Sequence, residues 1–373
     1  MCAQPSRVRT GAPTGVYIKK SNHGTVILWG QDENAELPTY CRQASISGLV
    51  LLESCESVSE VTIAVKGELD VILTEGASIT SIVVHDRYTV WPFPNSQTSI
   101  CPSSIPFAAS LPEKFQNGDK MYPLPPSYSI AHTSVPGTSV KLCYSVTLIV
   151  TRMRMRKFRL SVSNTIQVPF NYCPRTRPHH PIQPCVDGFL CDVKSMPEEW
   201  RQIVTEILPH PKSALAPIYA QLFIPAAKVY GISDTIPFHV QIYGHVSSLC
   251  EFLPNSDTDK MYIGGNIIRQ IVFDIRDRVF HRNVIIGDAE FVSTPPGPWS
   301  NPTDSEASLD WKGEVHCKPD VSVGSFDSGT IRIQDFIVID MRPPGSSRSQ
   351  FPATRHAHPV KLVTDSWSHY YVS

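Results

Sequence analysis

The sequence predicts an all-β chain arranged as two β-sandwiches. Three observations carry this. Short segments alternate apolar and polar residues with a period of two, as in Val61, Ile63 and Val65 against Thr62, Ala64 and Lys66, the pattern of a half-buried strand. Prolines outnumber glycines, 33 to 20, and cluster between these segments, which favours strand-to-strand loops over long helices. The strand-dense pattern also occurs twice, in a chain whose 373 residues suit about two domains.

Taken in order, residues 1–21 are polar, with Pro5, Gly11, Pro13 and Gly15, and read as disordered. Residues 22–172 form the first sandwich. Its strands are expected at Thr25–Trp29, Ile46–Glu53 and from Val61 onward, with short strands and long connections over 91–136. The clearest strand places Val140, Leu142, Tyr144, Val146, Leu148 and Val150 on one face. Its parity continues into Arg152, Arg154 and Arg156. A core face cannot hold three unpaired arginines, so the strand is expected to leave the sandwich near Thr151 and return through Phe158, Leu160 and Val162. The result is a long hairpin with a basic tip.

Residues 173–211 are proline-rich and read as a linker with one short helix over 197–208. Ser195 offers an N-cap, Pro197 suits the first turn and Glu198 completes a capping box. Trp200, Ile203, Val204, Ile207 and Leu208 then form an apolar stripe at helical spacing, stopped by Pro209. Residues 212–366 form the second sandwich. Strands are expected at Ile236–Ile242, Ile267–Ile275, Val284–Val292, Gly313–Cys317, Ile331–Ile339 and Val360–Val363, and 367–373 is a short tail.

Composition narrows function. A formal net charge of -1 gives no global field toward nucleic acid or anionic lipid, and no aromatics interleave with the basic run to stack bases. Met1–Lys20 has no apolar run, so no secretory signal is expected, and no stretch approaches the roughly 18 apolar residues of a membrane span. Cys2 does not fit a myristoylation site, and the last residues are not a prenylation box. The ten cysteines then read as mostly reduced, cytosolic thiols.

The chain resembles the arrestin family, its α-arrestin branch above all, over about residues 24–366. Ile46, Gly48, Val50 and Leu52 match the family's early V-x-G-x-V-x-L strand, preceded by Pro38 and Tyr40. Leu124–Tyr128 matches L-P-P-S-[FY] ahead of the long strand, and Trp311-Lys312-Gly313 and the last strands look like the family's C-domain. The resemblance implies two Ig-like sandwiches of arrestin type. It also implies a non-enzymatic, cytoplasmic adaptor without cofactor, peripheral to the plasma membrane or endosomes, that binds cytosolic tails of membrane cargo. A second reading stays open, a retromer-type interaction module without ligase coupling, favoured by a chain that ends soon after its last strand.

Two motifs bear on these readings. Pro125, Pro126 and Tyr128 spell Pro-Pro-x-Tyr, a ridge that the aromatic groove of a WW domain accepts, and would recruit a HECT-type ubiquitin ligase. The competing reading is an ordinary strand entry with Tyr128 in the core. Arg152, Arg154, Arg156, Lys157 and Arg159 could bind phosphorylated cargo or acidic phospholipid through guanidinium forks, or could be a solvated hairpin end that deters edge pairing. Cys173, His179, His180, Cys185 and Cys191 have zinc-type ligands at spacing too wide for a structural zinc site, and no metal is expected. No catalytic site is expected either. The chain has no Gly-x-Ser-x-Gly elbow, His-Glu-x-x-His pair or phosphate-binding glycine loop, and His239 reads as structural.

Overall fold

The computed structural model describes residues 14–367 except 34, 73–77, 92–99, 132–138, 156–159, 184–188, 254–261, 276–277, 295–305 and 345–348. In chain order the strands are β1 (Gly15–Ser21), β2 (Gly24–Gln31), β3 (Thr39–Tyr40), β4 (Ser45–Leu51), β5 (Val58–Ile72), β6 (Ser78–Trp91), β7 (Ser104–Ser110), β8 (Lys114–Asn117), β9 (Lys120–Pro123), β10 (Tyr128–Ala131), β11 (Ser139–Met155) and β12 (Leu160–Tyr172). After helix α1 (Phe189–Ser195) come β13 (Trp200–Ile207), β14 (Ile218–Pro225), β15 (Val229–Gly231) and β16 (Ile236–His245). A four-residue helix, α2 (Val246–Leu249), precedes β17 (Tyr262–Ile275), β18 (Arg278–Thr294), β19 (Glu306–Cys317), β20 (Phe326–Asp327), β21 (Ile331–Arg342) and β22 (Thr354–Val363). The chain is an all-β sandwich protein, and its contacts divide it into two compact units.

The first unit comprises the described residues up to Arg175, with Phe326–Thr330. One sheet runs β1-β2-β4-β7 and the other β3-β12-β11-β5-β6, with β10 also on β11 and a small β8-β9 hairpin beside them. Alternation places Val26, Leu28, Ile46, Val50, Ile105 and Phe107 of the first sheet in the core with Ile63, Val65, Val146 and Leu148 of the second. The long hairpin is present, with Val150 opposite Asn164 in the β11–β12 ladder. The β11–β5 register shifts between Thr151 and Arg152, where the arginine series begins. β1 corrects the expectation of disorder for Gly15–Ser21, while residues 1–13 of that expectation lie outside the described residues. Val16 and Ile18 alternate with Tyr17 and Lys19, and the whole strand pairs with β2. The signal was masked by the Gly/Pro-rich residues before it.

The second unit holds Thr176–Ser325 and the chain from Ile331. Its sheet runs β13-β14-β16-β19-β18-β17-β21-β22-β15 and folds over one core, so that Ile218, Phe238 and Ile242 from one half share a cluster with Ile337, Ile339 and Leu362 from the other. A hydrogen-bonding contact from Thr205 Oγ1 on β13 to His356 Nδ1 on β22, 3.2 Å, ties the two halves.

The helix expected over 197–208 is corrected. Pro197–Glu199 makes one 3-10 turn, and Trp200–Ile207 is strand β13, paired along its full length with β14. The apolar residues fit both periods. Ile203 and Ile207 pack inward while Val204 is 51% exposed, which is alternation rather than a stripe. β-Branched Ile203, Val204, Thr205 and Ile207 suit a pleated surface, and β14 offers a ladder partner. The short helix of this stretch lies earlier, at Phe189–Ser195. The stretch is also not a free linker. Thr176 N–H donates to Thr364 Oγ1 (2.7 Å) and Asp365 N–H to the Thr176 carbonyl (2.9 Å), and β13 is part of the sheet.

Gly48 sits where any Cβ would collide with the Ile27 carbonyl of the neighbouring strand, and backbone cannot yield as a side chain can. Gly48→Ala is expected to cost about 1–3 kcal/mol, as overpacked cores do. Urea unfolding of the variant measures this, and an unchanged midpoint would contradict so close a β2–β4 approach.

Candidate functional site

Leu124, Pro125, Pro126 and Tyr128 are all buried. Backbone pairing holds the segment at both ends: Leu124 N–H donates to the Glu113 carbonyl (2.9 Å) and Ser127 N–H to the Tyr172 carbonyl (2.8 Å). Ser127 Oγ accepts from Tyr172 N–H at 2.8 Å, and the buried Tyr144 hydroxyl donates to the Pro125 carbonyl at 2.6 Å. The Tyr128 ring meets Phe326 edge-on at 5.7 Å, within the same unit. Behind it Tyr144 stacks on Phe170 (5.7 Å) and meets Tyr172 edge-on (5.4 Å), and burial pushes the Tyr144 hydroxyl well above its ordinary pKa. A WW groove needs both prolines and the tyrosine on the surface. The expectation of a WW-domain motif at Pro125, Pro126 and Tyr128 is therefore corrected: here the three residues are a strand entry sealed into an aromatic core.

Of the basic set, Arg152 is partly buried and turned to the protein. Its Nη2 donates to the Ser54 carbonyl at 3.0 Å and its Nε is enclosed without a hydrogen-bond partner. Such a guanidinium braces the loop after β4 more than it offers a fork to phosphate. Arg156, Lys157 and Arg159 lie outside the described residues, as does the side chain of Arg154.

The second unit holds a histidine–aspartate pair. His239 Nε2 lies 2.8 Å from Asp310 Oδ1, which also accepts from Gln241 Nε2, while Ser308 Oγ donates to Oδ2. Burial alone would raise the Asp310 carboxyl, but the bonds from His239, Ser308 and Gln241 outweigh it and hold the group below its ordinary pKa. Phe189 of α1 stacks on the imidazole at 4.0 Å and meets Trp200 and Phe223 edge-on at 5.1 Å. With its other ring nitrogen buried and without a polar partner, His239 anchors α1 to the sheet. A second polar anchor is Arg269–Asp335, a bidentate pair at 2.8 and 3.1 Å between β17 and β21, with Ser325 Oγ donating to Asp335. Among the described residues, no three His, Cys, Asp or Glu side chains converge as metal ligands, and Cys185 lies outside those residues.

The feature that sequence reasoning missed is the outer face of the β1-β2-β4-β7 sheet. Register places Val16 beside Trp29, then Ile18, Ile27, Leu49 and Pro106 in one row, then Lys20, Thr25 and Leu51 in the next. Val16 is 50% exposed, Ile18 49%, Trp29 44% and Leu51 37%. Such residues are ordinary singly, but side by side on one sheet face they form a patch of the kind that binds partners. Lys20, exposed in the last row, borders it. The alternation in Gly15–Ser21 was the available signal.

The chain matches no family model, and no curated protein matches it.

Tyr128→Ala is expected to cost about 3–5 kcal/mol, as large buried rings do, and a WW domain titrated calorimetrically into the folded wild type should release no binding heat. Full stability of the variant, or micromolar WW binding, would reverse this assignment. A second expectation concerns pH. Burial lowers the pKa of His356, and burial followed by the charges of Arg201 and Lys228 lowers that of His358 to about 4. The unfolded chain binds these protons near pH 6.5 and the folded one does not, so stability falls as pH drops from about 6.5 toward 4. Urea midpoints across that range should show the loss, and His358→Gln should flatten it; a pH-independent midpoint would contradict buried neutral imidazoles.

Proposed function

We propose that the chain is a non-enzymatic, arrestin-like interaction scaffold. It docks a cytosolic tail of a membrane protein on the outer face of its β1-β2-β4-β7 sheet, without recruiting a ligase through Pro125-Pro126-Ser127-Tyr128. The observation that carries this reading is the registered patch of Val16, Ile18, Trp29 and Leu51. An apolar segment with an acidic flank would bury against it and meet Lys20 at its border. The motifs behind the family resemblance add support through their placement. Ile46–Val50 lies on β4, where Gly48 lets β2 approach. Leu124–Tyr128 enters β10, and Gly313 lies on β19 where a Cβ would strike Phe238. Burial of the Pro-Pro-x-Tyr residues favours the version without ligase coupling. Peripheral association with the plasma membrane or endosomes belongs to the same proposal. Among the described residues, no helix is long and apolar enough to cross a membrane.

Fluorescence titration of Trp29 with an array of cytosolic-tail peptides tests the reading. At least one peptide should bind in the micromolar range, and Ile18→Ser with Leu51→Ser should weaken it by about tenfold or more, since each buried aliphatic contributes about 1.5–3 kcal/mol. Binding that survives both substitutions, or an array without any binder, would contradict it.

A further inference from the structure

The parallel pairing of β3 with β12 places Asn171 opposite Thr39 and Tyr172 opposite Tyr40. The next step of that register sets Cys173 opposite Cys41, and the ladder bond from Cys173 N–H to the Tyr40 carbonyl, 2.9 Å, carries the pairing to that step. Successive side chains on a strand face opposite ways. Tyr40 and Tyr172 are 3% and 2% exposed and point into the core, where Tyr40 meets Phe170 edge-on at 5.2 Å. Cys41 and Cys173 therefore share the outward face, and both are exposed and reduced. Adjacent strands lie about 4.8 Å apart, inside the range of Cα separations, roughly 4.4–6.8 Å, that a disulfide spans.

We propose that Cys41 and Cys173 are a redox-active dithiol that closes to a disulfide by exchange with a glutathione-type disulfide. This goes beyond the scaffold reading and does not depend on it. One cysteine thiolate attacks a sulfur of oxidised glutathione, forming a mixed disulfide and expelling one glutathione thiolate. The second thiolate attacks the protein sulfur of that mixed disulfide and expels the other glutathione. Two protein thiols are oxidised and one glutathione disulfide is reduced to two glutathiones, with the two protons passing to solvent or to the leaving thiolates. Part of the Cys173 side chain reaches solvent, yet burial of its surroundings, followed by the neighbouring Cys41 sulfur, raises its thiol pKa above the ordinary value. The bond would fasten β3, a strand of two residues, to the end of β12 and close a loop of roughly 130 residues. Cys101 differs: it is buried, its thiol donates to the Pro102 carbonyl at 3.7 Å, and burial pushes its pKa up to about 11.

The test equilibrates the full chain with glutathione buffers of increasing oxidised fraction, quenches with acid, alkylates and maps peptides without reduction. A peptide linking Cys41 to Cys173 is expected, absent in Cys41→Ser and in Cys173→Ser and retained in Cys55→Ser. The oxidised wild type should melt roughly 5–10 °C higher than the reduced protein, and this difference should vanish in Cys41→Ser. Stable mixed glutathione adducts at both positions without a cross-link, or a link from either cysteine to another residue, would overturn the proposal. So would thiols that stay reduced in fully oxidised glutathione.

Discussion

The first unit depends on how one proline-rich entry is made compatible with burial. A buried carbonyl without a partner is costly, and two consecutive prolines remove two donors from the segment that must pair. The Tyr144 hydroxyl answers this by donating to the Pro125 carbonyl at 2.6 Å, while Ser127 exchanges two bonds with Tyr172. Tyr144 can reach because it sits mid-strand on β11 with Phe170 and Tyr172 around it, and because Gly67 opposite leaves room for its ring. The same network that seats the long hairpin therefore withdraws the Pro-Pro-x-Tyr residues from solvent. A linear motif acts only where its side chains are exposed.

Much of the fold was legible because strand alternation is strong where one face is wet. β4, β11, β16 and β21 could be read from period-two runs of aliphatics, and the hairpin of β11 and β12 from the change to arginine after Val150. Legibility failed where two periods coincide. Trp200, Ile203, Val204 and Ile207 satisfy both a helix stripe and a half-buried strand, and only the free edge of β14 resolves the choice. β1 was overlooked because Lys19 and Lys20 dilute its pattern and prolines and glycines precede it. For the site, motif chemistry gave one sound alternative, the core reading of Tyr128. It missed the patch, for which alternation in Gly15–Ser21 was the one signal, because the other residues come from separate strands and meet only through register.

The two units use polar anchors to different ends. In the second, His239–Asp310 and Arg269–Asp335 are enclosed and bonded, which fixes α1 and joins β17 to β21 without presenting a reactive group to solvent. In the first, chemistry at the surface concentrates on an apolar sheet face and on a pair of cysteines at the end of β12. Both follow from the same alternation rule. Residues that face away from a sandwich core are set by the register of their strands, so exposed partners are as well placed as buried ones.

Hydrogen–deuterium exchange across Met121–Ser129 tests the central claim most directly. If the entry is locked into the aromatic core, the amides of Leu124, Ser127 and Tyr128 exchange as slowly as those of mid-strand β11, through global unfolding. Exchange of these amides at the rate of an open loop would contradict the account and return Pro125, Pro126 and Tyr128 to the surface as a ligand.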